Sequence, residues 1–303
     1  MNKLFNHMLV PVDQEDEEGI VQKALHMADY LHCQVHLLYN LSAAQREEGV
    51  GEMKAAIRQR HPFLSAPGIS LEINTDTSFP ERQIIDYSKR HAVDLILLVK
   101  KKKAGHARFR TGADIDRLVD KTLCPVLTVS GEPALSNLKN IVLPVGDHLP
   151  MRKLLFATYL GRTVNSTIHL VAPTQTSRRF DVQRTDIRSF QKSGYISGRP
   201  DFWTFNNDPV LSVGVRDNLQ KCYRLLRENT NLSIECQASP VENLAEAAWD
   251  YAKKIKADLI LTSPGKESML SGFWNNLRSK FFRRQGSRSL SNTSQIPVMT
   301  ILS

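Results

Sequence analysis

The sequence predicts an α/β protein made of two tandem copies of a five-stranded parallel-sheet α/β sandwich, and two observations predict it. The first is self-similarity. "LVPVDQEDEEGIVQKALHMADYLHCQVHLLY" aligns without gaps on "VLPVGDHLPMRKLLFATYLGRTVNSTIHLVA" at an offset of 133, which places Pro11, Val12, Ala24, His36 and Leu37 on Pro144, Val145, Ala157, His169 and Leu170. Downstream, "DYSKRHAVDLIL" (86–97) aligns with "DYAKKIKADLIL" (250–261), and "CPVLTVS" (124–130) with "IPVMTIL" (296–302). A repeat of this length is a domain rather than a solenoid unit. The second observation is alternation: short apolar runs rich in β-branched residues are separated by helical patterns, as in a parallel sheet covered on both faces.

The elements follow in order. "HMLVPV" (7–12) is a strand apolar on both faces, and Ile20, Ala24, Met27, Ala28 and Leu31 then recur at helical spacing. "QVHLLYN" (34–40) is the second strand, Met53 to Ile57 mark a helix, and "ISLEINT" (69–75) is the third strand. Ile84, Ile85, Tyr87 and Ser88 belong to a helix that leads into "LILLV" (95–99); a loop and a helix then lead to "PVLTV" (125–129). The copies are expected at residues 1–131 and 137–303, joined by "EPALSN", with insertions in the second near 174–213 and 266–288. In such a sheet ligands bind beyond the carboxyl ends of the strands, here at Asp13, Tyr39-Asn40 and Val99-Lys100.

Of the 303 residues 41% are hydrophobic and 23% charged, the balance of a globular protein. No apolar run is long enough for a membrane span, and "MNKLFNHMLVPVD" lacks the features of a signal peptide, so a cytoplasmic location is expected. Cys33, Cys124, Cys222 and Cys236 are scattered without a C-x-x-C pair and are expected to be buried thiols. The net charge of +9 is uneven: residues 1–137 carry 17 Lys and Arg against 18 Asp and Glu, while 138–303 carry 23 against 13. An excess of that kind suits an anionic partner or a solvated basic face.

"LVPVD" opening the domain, "A-x-D-L-I-L" before the loop and "CPVLTV" closing it resemble the universal stress protein family, in both copies. The resemblance implies a nucleotide-binding-like fold and an intramolecular pseudo-dimer of the two repeats whose final strands pair. It also implies where ATP would sit. In nucleotide-binding members the aspartate after the first strand contacts adenine, and a loop G-x2-G-x9-G-[ST] wraps the phosphates. Carried onto this sequence, the aspartate is Asp13 after Pro11 and Val12, Tyr39 closes the second strand, and the loop positions fall on Val99, Lys102, Gly112 and Ala113.

The loop keeps its length and loses its chemistry. Two glycines that would let backbone N–H groups approach phosphate are a β-branched residue and a lysine, and the hydroxyl is a methyl. Lys102, Arg108 and Arg110 are placed to neutralise an anion by charge instead. The second copy departs further: Gly146 stands at the aspartate position, and Ser263 and Lys266 at the first two glycine positions. No cofactor is therefore expected, with ATP in domain 1 as the alternative.

The insertions offer other readings. In 266–288, Leu270, Phe273, Trp274, Leu277 and Phe281 recur at helical spacing beside Arg278, Lys280, Arg283 and Arg284. That outline fits self-packing or an anionic membrane surface. In 174–213, basic and aromatic residues interleave, which fits a self-packing flap or a single nucleic-acid strand. No G-x-S-x-G, H-E-x-x-H or Walker loop occurs, and His36 and His169 occupy matched positions that point to shared packing. The expected function is a non-enzymatic stress-response or signalling module with a degenerate nucleotide site. The alternatives are ATP binding in domain 1, with weak ATPase activity, and nucleic-acid or membrane-surface binding through basic domain 2. A protein partner, an anionic ligand and a further homodimer complete the expectations.

Overall fold

The computed structural model describes residues 3–12, 17–40, 49–74, 80–100, 115–130, 138–173, 211–239, 244–263 and 296–302. The chain divides into two compact units, one of Met1–Asn137 with Ser263–Leu302 and the other of Leu138–Thr262. The insertions expected near 174–213 and 266–288 fall almost wholly outside the described residues.

In the first unit β1 (His7–Val12), α1 (Glu17–Leu31), β2 (Gln34–Asn40), α2 (Val50–Arg60) and a 3-10 turn (Pro62–Ser65) lead to β3 (Ile69–Asn74). α3 (Pro80–Arg90), β4 (Leu95–Lys100), α4 (Ile115–Thr122) and β5 (Val126–Ser130) follow, and β10 (Val298–Thr300) completes the unit. The strand order is β3-β2-β1-β4-β5-β10. β1 to β5 are parallel, with Leu9 opposite His36 and Leu37 opposite Leu71.

β10 pairs antiparallel to β5 with Val298, Met299 and Thr300 opposite Thr128, Leu127 and Val126, the pairing of final strands that the resemblance implies, and it makes the sheet mixed where five parallel strands were expected. The mixed sheet has a physical reason. An antiparallel neighbour needs no βαβ crossover, so a segment from far along the chain can close an edge directly. The Thr128 hydroxyl fixes the register by donating to the Val298 carbonyl at 3.1 Å. Val298 and Leu302 pack on the cluster of Leu9, Ile84, Leu98, Leu118, Val119 and Val126, which is why β10 groups with this unit rather than with the second repeat.

α1 buries Ile20, Ala24, Met27, Ala28 and Leu31, the stripe its spacing predicts. Each large side chain so covered contributes roughly 1.5–3 kcal/mol of transfer free energy. The helix stops at His32, whose φ of 53° is left-handed. α2 turns Met53 and Ile57 inward and is otherwise largely solvated.

The second unit contains β6 (Asn140–Pro144), α5 (Met151–Val164), β7 (Thr167–Pro173), α6 (Val213–Asn229), β8 (Ser233–Ser239), α7 (Leu244–Ile255) and β9 (Leu259–Thr262). Its strands run β9-β6-β7-β8, all parallel, the neighbour relations of β4-β1-β2-β3. α5 ends at Asn165, whose φ is 55° and whose N–H returns to the Gly161 carbonyl. Gly161 permits the close approach there, because a Cβ would lie 2.9 Å from Leu232 Cδ1. Ser212 caps α6, its hydroxyl accepting from the Val215 N–H at 3.3 Å. Among the described residues no helix is long and apolar enough to cross a membrane.

Candidate functional site

In the first unit the strand order reverses at β1, which has β2 on one side and β4 on the other, so the ligand crevice expected of such a sheet lies beyond their carboxyl ends. Pro11 and Val12 end β1 with buried side chains, opposite Leu38 and Tyr39 of β2. Val99 lies half-buried on β4 opposite Val129. Asp13, Lys102, Arg108, Arg110, Gly112 and Ala113 lie outside the described residues.

Tyr39 is fully buried, and its hydroxyl donates to Glu17 Oε1 at 2.9 Å. Glu17 opens α1 and is itself only 6% exposed. Its Oε2 lies 3.0 Å from Arg60 Nη1 and its Oε1 lies 3.3 Å from His61 Nε2, both at the end of α2. The first turn of α1 favours a carboxylate through its unpaired N–H groups. Burial, then the hydrogen bond and charge of Glu17, push the Tyr39 phenol above its ordinary range, so it remains a hydrogen-bond donor. Tyr39, which the sequence assigns to the ligand, is thus committed to an internal cluster at the carboxyl end of the sheet. Glu17, Arg60 and His61 were not singled out by sequence reasoning. Glu17 sits in the acidic run "DQEDEEG", where solvation is the default expectation.

The corresponding end of the second unit is closed differently. Gly146 stands where the first repeat has Asp13, and a Cβ there would lie 3.0 Å from Leu244 Cδ2. The Asn218 side-chain amide donates to the Gly146 carbonyl at 3.0 Å. Lys153, in the first turn of α5, is lowered to about 8 by burial, while burial pushes the Cys222 thiol up to about 12. Cys124 and Cys222 are buried as expected, whereas Cys33 and Cys236 are only partly so. No group of three or more His, Cys, Asp or Glu suited to a metal occurs among the described residues.

At the amino ends of the strands the repeated "D-L-I-L" has a mechanical role. Asp94 Oδ2 accepts from the Asn6 and His7 N–H groups at 2.7 and 3.1 Å, and the Asp94 N–H donates to the His7 carbonyl at 2.9 Å. Asp258 repeats this on Asn140, accepting from its N–H at 2.9 Å and donating to its carbonyl at 3.0 Å. The aspartate therefore pins the first strand of each unit to the fourth. Nearby, His36 Nδ1 lies 3.1 Å from the Tyr87 hydroxyl and His169 Nδ1 lies 3.1 Å from that of Tyr251.

Residues 4–130 match the family model described as Universal stress protein family. No curated protein matches the chain. Among solved structures, a universal stress protein from Archaeoglobus fulgidus DSM 4304 is similar at 13% identity with a TM-score of 0.57, over 99% of this chain and 98% of that one. A Pseudomonas aeruginosa UCBPP-PA14 protein described as a universal stress protein is similar at 12% identity with a TM-score of 0.57, over 99% and 95%. A functionally unknown protein from Pseudomonas aeruginosa PAO1 gives 12% identity and a TM-score of 0.56, over 98% and 92%. At these identities the likeness is one of fold.

Proposed function

We propose that this chain, with its universal stress protein domain at residues 4–130, is a tandem member of that family that acts in stress response or signalling by binding rather than turnover, with a degenerate nucleotide site. Two contacts near the carboxyl ends of the strands support the reading. Tyr39 is held inward by Glu17, and Leu244 packs against Gly146 where an aspartate would stand. A planar base gains its affinity from burial in a crevice, and side chains drawn inward there leave charge as the main attraction for its phosphates. The repeated strand order supports two copies of one domain, and Lys102, Arg108 and Arg110 suit a polyanion more than a specific nucleotide.

Titration of the full chain with ATP and magnesium tests this. The expected result is weak binding, with a dissociation constant above roughly 1 mM, matched by GTP and tripolyphosphate. Affinity near roughly 1 μM that is lost in Asp13→Ala and absent for GTP would replace the degenerate site with a working ATP site in the first domain.

A further inference from the structure

The first unit contains a cluster of three imidazoles that the second unit lacks. His36 on β2 is 8% exposed. Its Nε2 lies 3.1 Å from His7 Nδ1 on β1, and its Nδ1 lies 3.1 Å from the Tyr87 hydroxyl on α3. His91, just past α3, stacks on Tyr87 with ring centroids 4.1 Å apart, and its ring lies 5.8 Å from that of His36. His91 is exposed and His7 half-buried, so water reaches two of the three rings.

In the second unit His169 occupies the place of His36 and Tyr251 that of Tyr87, but Asn140 replaces His7 and Ile255 replaces His91. His169 Nε2 meets Asn140 Oδ1 at 3.1 Å, and its Nδ1 also lies 3.2 Å from Glu235 Oε2. A proton there meets a carboxylate. A proton in the first unit meets other imidazoles.

The charged groups around the first cluster do not alter this contrast. Arg90 lies over the Tyr87 ring, with Cζ 6.0 Å from the centroid, and adds positive charge. Glu72 on β3 faces Tyr87 but is paired with Lys54 at 3.1 Å, and Ser70 on β3 hydrogen-bonds Tyr87. The Asp94 carboxylate is engaged by the Asn6 and His7 backbone. Among the described residues no carboxylate lies within ion-pair distance of His7, His36 or His91.

We propose that this cluster is an acid-sensitive latch: protonation of more than one of His7, His36 and His91 places like charges side by side and loosens α3 from β1 and β2, while the second unit holds. In the neutral cluster His7 Nδ1–H can donate to His36 Nε2 while His36 Nδ1–H donates to the Tyr87 oxygen, so each ring already holds its one proton. A proton added at His7 Nε2 leaves that chain intact, whereas one added at His36 Nε2 meets the His7 Nδ1–H with no acceptor and no counter-charge. Burial first, then the charges of His7 and His91, hold His36 below its ordinary value of 6.5. The unfolded or opened state therefore takes up its proton at higher pH than the closed one. Stability from the latch is full above that ordinary value and is lost as pH falls below it toward the depressed folded value. His169 too is held below its ordinary value, chiefly by burial, but there the Glu235 carboxylate offsets part of that effect.

Hydrogen exchange of the full chain at pH 7.5 and 5.5, corrected for intrinsic rates, tests the latch. In α3 (Pro80–Arg90) exchange should accelerate about tenfold or more, while in α7 (Leu244–Ile255) it changes much less. The double variant His7→Asn with His91→Ile, carrying the second unit's residues, should abolish the difference. Equal acceleration in both helices, or an undiminished response in the double variant, overturns the proposal. Should that variant fail to fold, NMR titration of the His36 ring in wild type and His91→Ile decides. The His36 midpoint should move up toward its ordinary value in the variant, and an unchanged midpoint overturns the latch.

Discussion

At Asp94 one carboxylate oxygen takes N–H groups from two successive residues at the start of β1. Charge-assisted bonds to backbone donors contribute about 1.5–3 kcal/mol where their loss leaves the donors unpaired. Asp94→Ala should therefore lower unfolding free energy by about 2 kcal/mol in urea titration, and Asp94→Asn by less because its amide oxygen still accepts. Asp258→Ala, which strips a single backbone donor of its partner, should fall below Asp94→Ala. This pin was half legible in the sequence: two aspartates at one repeat position announce a shared role, but not whether that role is mechanical or chemical. The Glu17 cluster was not legible. Its members come from α1, β2 and α2, and no local pattern separates a carboxylate that finds three partners from the other acidic residues of the same run, such as the exposed Glu18.

At the scale of elements, β1 and β2 span the residues their apolar alternation predicts, and β4 runs one residue further, to Lys100. β10 is harder to read, being three residues of ladder whose value lies in what they cover. Met299, Thr300 and Ile301 are all essentially buried, and the Thr300 hydroxyl has no hydrogen-bond partner among the described residues. A buried unpaired hydroxyl is a standing penalty, so Thr300→Val should leave the fold intact and raise stability by up to about 1 kcal/mol. Met299→Pro should do the opposite. Proline removes a donor from the ladder and is tolerated only at edges and bulges, so exchange at Val126–Ser130 should rise sharply. A Thr300→Val variant destabilised by more than about 1 kcal/mol would mean that the hydroxyl is paired in solution.

For the molecule as a whole, the repeat disclosed the strand order twice, because equal patterns of apolar runs impose equal layers. The pairing of the two final strands, β5 and β10, is what the family resemblance implied, whereas the repeat by itself could not disclose that β10 groups with the first unit, since pairing partners are set by which edge is open rather than by sequence distance. The pairing spans 170 residues, from Thr128 to Val298. At typical elongation rates the ribosome needs roughly 10–30 s to deliver β10 after β5 has emerged. Throughout that interval the nascent first unit carries an open edge of unpaired N–H and C=O groups along Val126–Ser130, the form of strand that recruits other strands. A fragment ending at Asn137 should accordingly self-associate in sedimentation velocity where the full chain does not through this edge, and a synthetic strand matching Val298–Thr300 and its flanks should suppress it. The protein's synthesis thus contains a vulnerable period set by its topology, during which a chaperone or dilution must do what its own later residues will do permanently.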